Sequence, residues 1–442
     1  MAVPSAMAVP AVSTRARAVV ARRGEGIDFS ENVTSRRARL AGTLVLPYMQ
    51  RMQQSNGDIV VVGGGPAGLT AALVLVTAGH AVTLVDPAPE ARPPKGRTTA
   101  ILAPHARLLQ DLGAWPAPAD RAELRGLQIV NRPPGGTVTD VLFRAEELGE
   151  PCFGWNVGNA ALLDALAAAL EGRLHRVTSA LSRMERRHGS WQLTFANGDR
   201  LETPLVIGAD GKGSPVRTAL KIKARIHDYG QGVNTAMLHH VGDAGDVSVE
   251  VHKPGGPFTT VPAGPHRSSL VWLETAAVAA RIAALDDSEF AMAVEAESDG
   301  RLGHVTAIEG RGSYPIQSLL AERLTAPGAL LLGEAAHAVS PLGAQGFNLT
   351  LRDCRVLFDL AREAPSVEAL ARSQMLKTYE RERLADTRAV FWLIDGLNRA
   401  VLRSESAVGF VRGLGLRAVG GFEPLRRQLM QRLLATSPLA FA

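Results

Sequence analysis

Cysteine is nearly absent: Cys152 and Cys354 are the only two thiols in 442 residues. That excludes a disulfide framework and any cysteine-rich zinc site. Lysine is scarce as well, supplying six of the 48 basic side chains, so the basic character of the chain belongs to arginine. No apolar run reaches the roughly 18 residues that would mark a transmembrane helix. His, Cys, Asp and Glu nowhere cluster at metal-ligand spacing, and no G-x-S-x-G nucleophile elbow occurs, so neither a metal site nor a serine hydrolase is expected. What is there is 46% apolar with scattered glycine and proline. This excludes collagen, a coiled coil and global disorder, and a chain of this length can bury a large core unaided.

The net charge of +5 has an address. Residues 1–57 hold eight Arg against three acids, whereas residues 58–442 balance at 40 basic and 40 acidic side chains. Within that balance, residues 411–442 carry five Arg and one Glu. Charge concentrated in one segment is no argument for a nucleic-acid partner, and none is expected. Residues 1–57 show no sustained helix or strand period and are read as a disordered extension or a mis-called start, with Met49 or Met52 as the alternative first residue. An Arg-rich organellar transit peptide is the competing reading of the same segment.

From Asp58 the pattern sharpens. Ile59–Val62 is a short aliphatic run of the kind buried on both faces of a parallel sheet. A glycine turn follows, then a helix over Leu69–Ala78 stopped by Gly79, and a second strand at Ala81–Val85. Residues 160–171 are expected to form an amphipathic helix. Residues 191–202 are expected to form a hairpin about Asn197-Gly198. Residues 228–325 are rich in short alternating runs and Gly/Pro turns, which predicts a mainly antiparallel sheet with one helix near 276–296. From about residue 354 the chain is expected to be mainly helical.

Three segments carry chemistry. In the first, Gly63-x-Gly65-x-x-Gly68 lies between strand and helix: Gly63 for the tight turn, Gly65 for close backbone approach to a pyrophosphate, Gly68 for close helix–strand packing. Asp86 ends the second strand, where a ribose-binding carboxylate belongs. The second segment, 205–217, is an apolar strand ending in Gly208-Ala209-Asp210-Gly211, with Ser214 and Arg217 beyond. The third, 330–353, is another apolar strand ending at Gly333-Glu334. It continues through His337 and Pro341 into a helix N-terminus bearing Gly343, Gln345, Gly346, Phe347 and Asn348.

These three segments, in this order, resemble the dinucleotide, DG and GD fingerprints of single-component flavin aromatic hydroxylases, the para-hydroxybenzoate hydroxylase fold. Residues 341–353 and the tail TYERERLADTRAVFWLIDGLNRAV further resemble the ubiquinone-biosynthesis FAD-dependent hydroxylases, the likeness spanning about residues 58–435. It implies an α/β fold: a Rossmann-like FAD-binding domain, an interleaved antiparallel-sheet substrate domain and a helical C-terminal region. The FAD-binding domain would comprise 58–227, including some substrate-domain strands, and 326–375. The substrate sheet would be 228–325 and the helical region 376–442.

Carried over by position, the resemblance places Asp86 on the adenosine ribose and Arg97 near the pyrophosphate or closing the isoalloxazine site. Asp210 would serve FAD and NAD(P)H. Gly333-Glu334 would lie at the ribitol or ribose, with Glu where the family has Asp. Pro341 would lie at the reacting face of the ring, and the amides of Gly346–Asn348 around its pyrimidine end. Ala344 replaces a glycine of many members, which is tolerated if φ is negative there. His337 is read as support for the turn ahead of a general base.

The implied activity is hydroxylation of a polyprenylated phenol in ubiquinone biosynthesis with NAD(P)H and dioxygen, through a flavin C4a-hydroperoxide. The alternatives are a hydroxylase of a small soluble aromatic acid, a flavin reductase of isoprenoid chains, and a non-catalytic flavin-binding lipid-carrier or assembly subunit. The implied setting is cytoplasmic and peripheral to the inner membrane, or organellar with a genuine transit peptide, with membership of a multi-enzyme complex. Within 425–434, Leu425, Leu429, Met430, Leu433 and Leu434 share one helical face opposite arginines. That predicts a basic helix on a membrane surface or packed on the domain.

Overall fold

Ile59–Val62 is fully buried because it is flanked on both sides: Val60 stands in register with Val206 and with Thr83, both pairings parallel. The computed structural model describes residues 58–90, 96–134, 136–402 and 419–434, less the side chains of 429 and 432–434. The expected extension over 1–57 lies outside the described residues. The described residues belong to one unit spanning Gln54–Ala442. Two large sheets are interleaved along it.

The first sheet has six strands in the order Thr325–Ala326, Ala329–Leu331, Val206–Gly208, Ile59–Val62, Val82–Val85 and His175–Val177. All pair in parallel except the first two, which form a hairpin. The helix after the glycine turn runs Pro66–Thr77, three residues earlier than Leu69, because Pro66 fits the first turn, where its missing N–H costs nothing. Gly79 ends it at φ +95°. The helices Asn159–Ala169 and Gln345–Glu363 pack against it.

The second sheet has eight strands, in the order His337–Ala338, Val305–Ala321, Ala224–His240, Arg267–Thr275, Gly256–Pro262, Val247–Lys253, Gly126–Asn131 and Thr139–Arg144. It is antiparallel except where Val247–Lys253 meets Gly126–Asn131. One face packs Phe258 and Trp272 against Phe290 and Val294 of the covering helices. Those helices are two, Ala276–Ala284 and Asp287–Glu297, rather than the one expected near 276–296. Leu285 is extended, and Asp286 starts a new helix by exchanging hydrogen bonds with Glu289 in a capping box.

A small sheet of Thr98–Leu102, Gly154–Gly158 and Arg121–Leu124 joins the layers. Thr98 Oγ1 donates to Ser269 Oγ at 2.8 Å and Asn156 Nδ2 donates to the Pro262 carbonyl at 2.8 Å. The expected hairpin pairs Ser190–Phe195 with Arg200–Thr203, and Gly198 turns it at φ +88°. Helical structure begins at Gln345, ahead of 354, and continues in Val367–Leu370, Ser373–Leu402 and Glu423–Leu434. In the last of these, Met430 packs with Val141 and Phe143, and Arg426 pairs with Glu147. Leu425 is exposed, while the side chains of Leu429, Leu433 and Leu434 lie outside the described residues. Among the described residues no helix is long and apolar enough to cross a membrane.

Candidate functional site

The three motifs end three neighbouring strands, Ile59–Val62, Val206–Gly208 and Ala329–Leu331, so the first sheet delivers all of them to its carboxyl edge. Open parallel sheets bind ligands at that edge. Gly63 sits at φ +117°, and a Cβ there would run into the Ala209 carbonyl of the second motif. A Cβ at Gly68 would strike the Gly63 carbonyl oxygen, which sets how closely helix and strand approach. Gly65 faces open space and caps the helix Pro66–Thr77 with no side-chain bond and no acid in its first turn. The result is an anion site of free amides at the positive end of a helix dipole.

Asp86 stands over this turn. Its carboxylate occupies the place a Gly64 side chain would take, and its Oδ1 accepts the Ala88 amide at 3.0 Å. Gly64, which the G-x-G-x-x-G spacing passes over, is thus as constrained as its neighbours. In the second motif Asp210 Oδ2 accepts the Val216 amide at 2.9 Å, while Oδ1 is buried with no hydrogen-bond partner among the described residues. Burial pushes this carboxyl above its ordinary value, against the pull of its hydrogen bonds and of Arg217. Arg217 ties the second motif to the third, donating to the Lys212 carbonyl at 2.6 Å and the Ala335 carbonyl at 2.8 Å.

In the third motif Gly333 lies at φ +59° against Ala67 of the first helix. Glu334 is 61% exposed, and its Oε1 lies 4.0 Å from Lys212 Nζ. Leu342–Ala344 form a turn with Pro341 exposed at its start. Ala344 has φ +55°, the left-handed region that favours glycine, so the replacement noted in the sequence carries strain here. The helix Gln345–Glu363 then opens with no side-chain cap and no acid in its first turn, and Gly346 faces open space. Gln345 turns inward, donating to the Gly343 carbonyl at 3.1 Å. Phe347 is half-buried, packed on the core of the first sheet. Asn348 is a clasp: its Oδ1 accepts the Leu102 amide at 3.0 Å and its Nδ2 donates to the Ala100 carbonyl at 2.9 Å. That holds strand Thr98–Leu102 beside the helix start. Arg97, just before this strand, has its guanidinium 4.0 Å from the Tyr314 ring centroid of the second sheet.

Behind the third motif lies a charge network that motif spacing does not announce. Asp353 Oδ2 accepts the Gly333 amide at 3.2 Å and faces His337 Nε2 at 2.6 Å, and its Oδ1 accepts Arg383 Nε at 2.8 Å. Arg383 and Arg352 both donate to Asp386, and Arg352 Nε reaches His105 Nε2 at 3.3 Å. All six side chains are buried. Burial alone would raise Asp353, but His337 and Arg383 overcome it and hold the carboxyl below the usual range. His105 is pushed down to about 3, by burial first and then by the two arginines. His337 therefore braces the turn, and its Nδ1 is buried without a partner among the described residues. The signal for this network was present: Arg383, Asp386 and Thr387 share the helical period of the buried Leu376, Tyr379, Val390 and Ile394.

The donor set fits FAD. Two uncapped helix N-termini, an acid over the glycine turn and a buried acceptor without a partner meet along one sheet edge. Among the described residues no cluster of His, Cys, Asp and Glu could hold a metal ion.

Residues 56–392 match the FAD binding domain family. The chain is 31% identical over 399 residues to the 3-demethoxyubiquinol 3-hydroxylase of Escherichia coli, covering 87% of this chain and all of that one. It is 30% identical over 393 residues to the ubiquinone hydroxylase UbiL of Rhodospirillum rubrum, covering 86% and 90%. Its fold is that of p-nitrophenol 4-monooxygenase from Pseudomonas putida, with a TM-score of 0.68 at 17% identity over 86% of this chain and 98% of that one. The chain belongs to the FAD binding domain family, among the ubiquinone-biosynthesis FAD hydroxylases of the para-hydroxybenzoate hydroxylase type.

Proposed function

We propose that this protein is an FAD-dependent aromatic-ring hydroxylase that acts on a polyprenylated phenol in ubiquinone biosynthesis, using NAD(P)H and dioxygen. The observation that carries the reading is the single sheet edge at which Gly63–Gly68, Asp86, Asp210 and Gly333 converge, in a chain similar along almost its whole described length to 3-demethoxyubiquinol 3-hydroxylase. Bound FAD would supply the redox chemistry: acceptance of hydride from NAD(P)H and activation of dioxygen to deliver one oxygen atom to the ring.

The protein's own part is binding, orientation and exclusion of water. The amides at the start of Pro66–Thr77 take the pyrophosphate, Asp86 the ribose hydroxyls, and Asp210 Oδ1 a further hydroxyl donor. The free amides of Gln345–Phe347 stabilise negative charge at the pyrimidine end of the ring. Arg97 and Tyr314 close the side facing the second sheet, whose Val233, Val271 and Ile316 offer an apolar roof over the reacting aromatic ring.

A prenylated phenol partitions into bilayers, so a peripheral contact with the inner membrane and membership of a multi-enzyme complex belong to the same reading. The C-terminal helix Glu423–Leu434 is one candidate surface for that contact, through Leu425 and its arginines. The test is purified full-length protein given FAD, NAD(P)H, dioxygen and a prenylphenol. It should be yellow and should yield a product heavier by one oxygen atom. Protein that stays colourless after FAD addition, or that oxidises NAD(P)H without oxygen insertion, overturns the proposal. Quinone profiling of a deletion strain then identifies the ring carbon from the intermediate that accumulates.

A further inference from the structure

The long helix Ser373–Leu402 turns one face to the charge network and leaves the other uncovered. Trp392, Leu393 and Leu397 are 46%, 49% and 46% exposed, and Ile226, on the adjoining strand, is 58% exposed. Ile226 and Trp392 line one shallow cleft of about 330 Å³ with Arg225, His227 and Arg399. Scattered single apolar residues need no explanation, but a contiguous patch of this kind marks an interaction surface.

The exposed charge of the helix itself is of one sign at the patch, with the exposed carboxylates of Asp228 and Glu322 beside it. From Ala385 to Arg399 the exposed residues of the helix are Ala, Gly, Trp, Leu and Arg alone, because both aspartates of that stretch, Asp386 and Asp395, are buried. Arg225 lies 5.2 Å from the Trp392 ring centroid, and Arg388 donates to the Glu322 carbonyl. Among the described residues neither guanidinium has a carboxylate within salt-bridge distance. Arg399 is half exposed and paired with Asp395 at 2.8 Å. A second copy of this chain is disfavoured as the occupant, since a two-fold contact through the helix would set Arg388 and Arg399 of each protomer against those of the other, and the stretch Ala385 to Arg399 exposes no carboxylate. An apolar stripe with an aromatic residue and flanking arginines is what an anionic bilayer receives.

We propose that this face of Ser373–Leu402, with Ile226 beside it, docks the protein on an anionic lipid bilayer. Trp392, Leu393 and Leu397 enter the interface, and Arg225, Arg388 and Arg399 meet the phosphate headgroups. The proposal rests on the prenylphenol reading above and names where that substrate's membrane is met. The face also adjoins the reaction roof: Asp395, under the cleft, accepts Tyr229 OH at 2.6 Å. Tyr229 packs with Val233, Leu273 and Ile316, in the same apolar cluster as the Tyr314 that Arg97 covers.

The test is co-sedimentation of the full-length, FAD-loaded protein with phosphatidylcholine vesicles with and without phosphatidylglycerol. Binding should require phosphatidylglycerol and weaken as salt rises. Leu393→Glu/Leu397→Glu should lower the bound fraction about tenfold or more, with flavin absorbance and NAD(P)H oxidation on a detergent-dispersed prenylphenol unchanged. Arg225→Glu/Arg388→Glu should flatten the salt dependence. Variants that bind vesicles like the parent overturn the proposal, as does binding lost only on deletion of residues 411–442. A parent dimer that Leu393→Glu/Leu397→Glu dissociates, with no vesicle binding by either, also overturns it and identifies a second copy as the occupant. Vesicle binding in the expected pattern without hydroxylation upholds the docking face and overturns the substrate reading. Hydroxylation in detergent without vesicle binding does the reverse.

Discussion

One oxygen of Asp353, Oδ2, lies 2.6 Å from His337 Nε2 and also accepts the Gly333 amide at 3.2 Å. A single carboxylate thereby fixes both ends of the turn that carries Glu334, and Arg383 holds its other oxygen. A buried ion pair of this sort is weak evidence for net stability, but removing one partner leaves an uncompensated charge in the interior. Its role here is positional: it sets where the third motif meets the glycine turn.

Asp353→Asn should therefore destabilise the holoprotein by about 3–5 kcal/mol, measured by urea unfolding followed by flavin fluorescence. Glu334→Asp, at a side chain mostly in solvent, should change stability by no more than about 0.5 kcal/mol. Equal effects of the two would show that the network does not hold the turn.

The same network gives stability a pH dependence. His105 is neutral in the fold, its value pushed down to about 3 from an unfolded value of 6.5. The unfolded chain then binds the extra proton throughout that interval, so stability is lost as pH falls from about 6.5 towards 3, by at most about 1.4 kcal/mol per pH unit for this residue. Asp353, held low in the fold, adds a loss that begins only near the ordinary carboxylate value and continues below it. In His105→Gln the slope of unfolding free energy between pH 6 and 4.5 should shrink towards that of the remaining groups. An unchanged slope would show that His105 is not the titrating group.

Much of the dinucleotide half is legible from residue order, because its determinants are local. A glycine that must adopt positive φ, a proline at a helix start and an acid at a strand end each act within a few residues. What was not legible depends on long-range register. Arg97 meets Tyr314 of the second sheet although the two are far apart in sequence, and Tyr314 is placed by a 17-residue strand pair interrupted by bulges. Arg383 and Asp386 share the period of a buried helix face, but charged residues are rarely buried unless paired, and which groups they and Asp353 pair with is set by tertiary contacts. The break at Leu285 was the exception: D-x-x-E at 286–289 is a local capping signal.

Ala344 tests the strain argument directly. At φ +55° it occupies a conformation that costs an L-residue about 1–2 kcal/mol, and its backbone opens the helix expected beneath the flavin ring. Ala344→Gly should stabilise the protein by about 1 kcal/mol after the entropy of glycine in the unfolded chain is allowed for. Gly343→Ala, at φ +64°, should destabilise by a similar amount. Paired urea titrations give both signs, and a loss of stability in Ala344→Gly would refute the assigned conformation.

Asp210 tests the site itself. Its Oδ2 is spent on the Val216 amide, whereas Oδ1 is buried and without a partner among the described residues, an arrangement that costs free energy unless a ligand donor reaches it. Asp210→Asn can keep the Val216 bond through its amide oxygen but presents an NH₂ group where an acceptor is needed. Loss of a hydrogen bond to a charged acceptor is worth about 1.5–3 kcal/mol, so the Kd for FAD should rise about tenfold to a hundredfold. Stability of the apoprotein should fall little or rise, because the variant removes a buried, partly desolvated charge. The two effects separate a ligand acceptor from a structural one. Flavin fluorescence titration together with apoprotein unfolding measures both, and a stability loss without any change in FAD affinity would assign Asp210 to the scaffold instead.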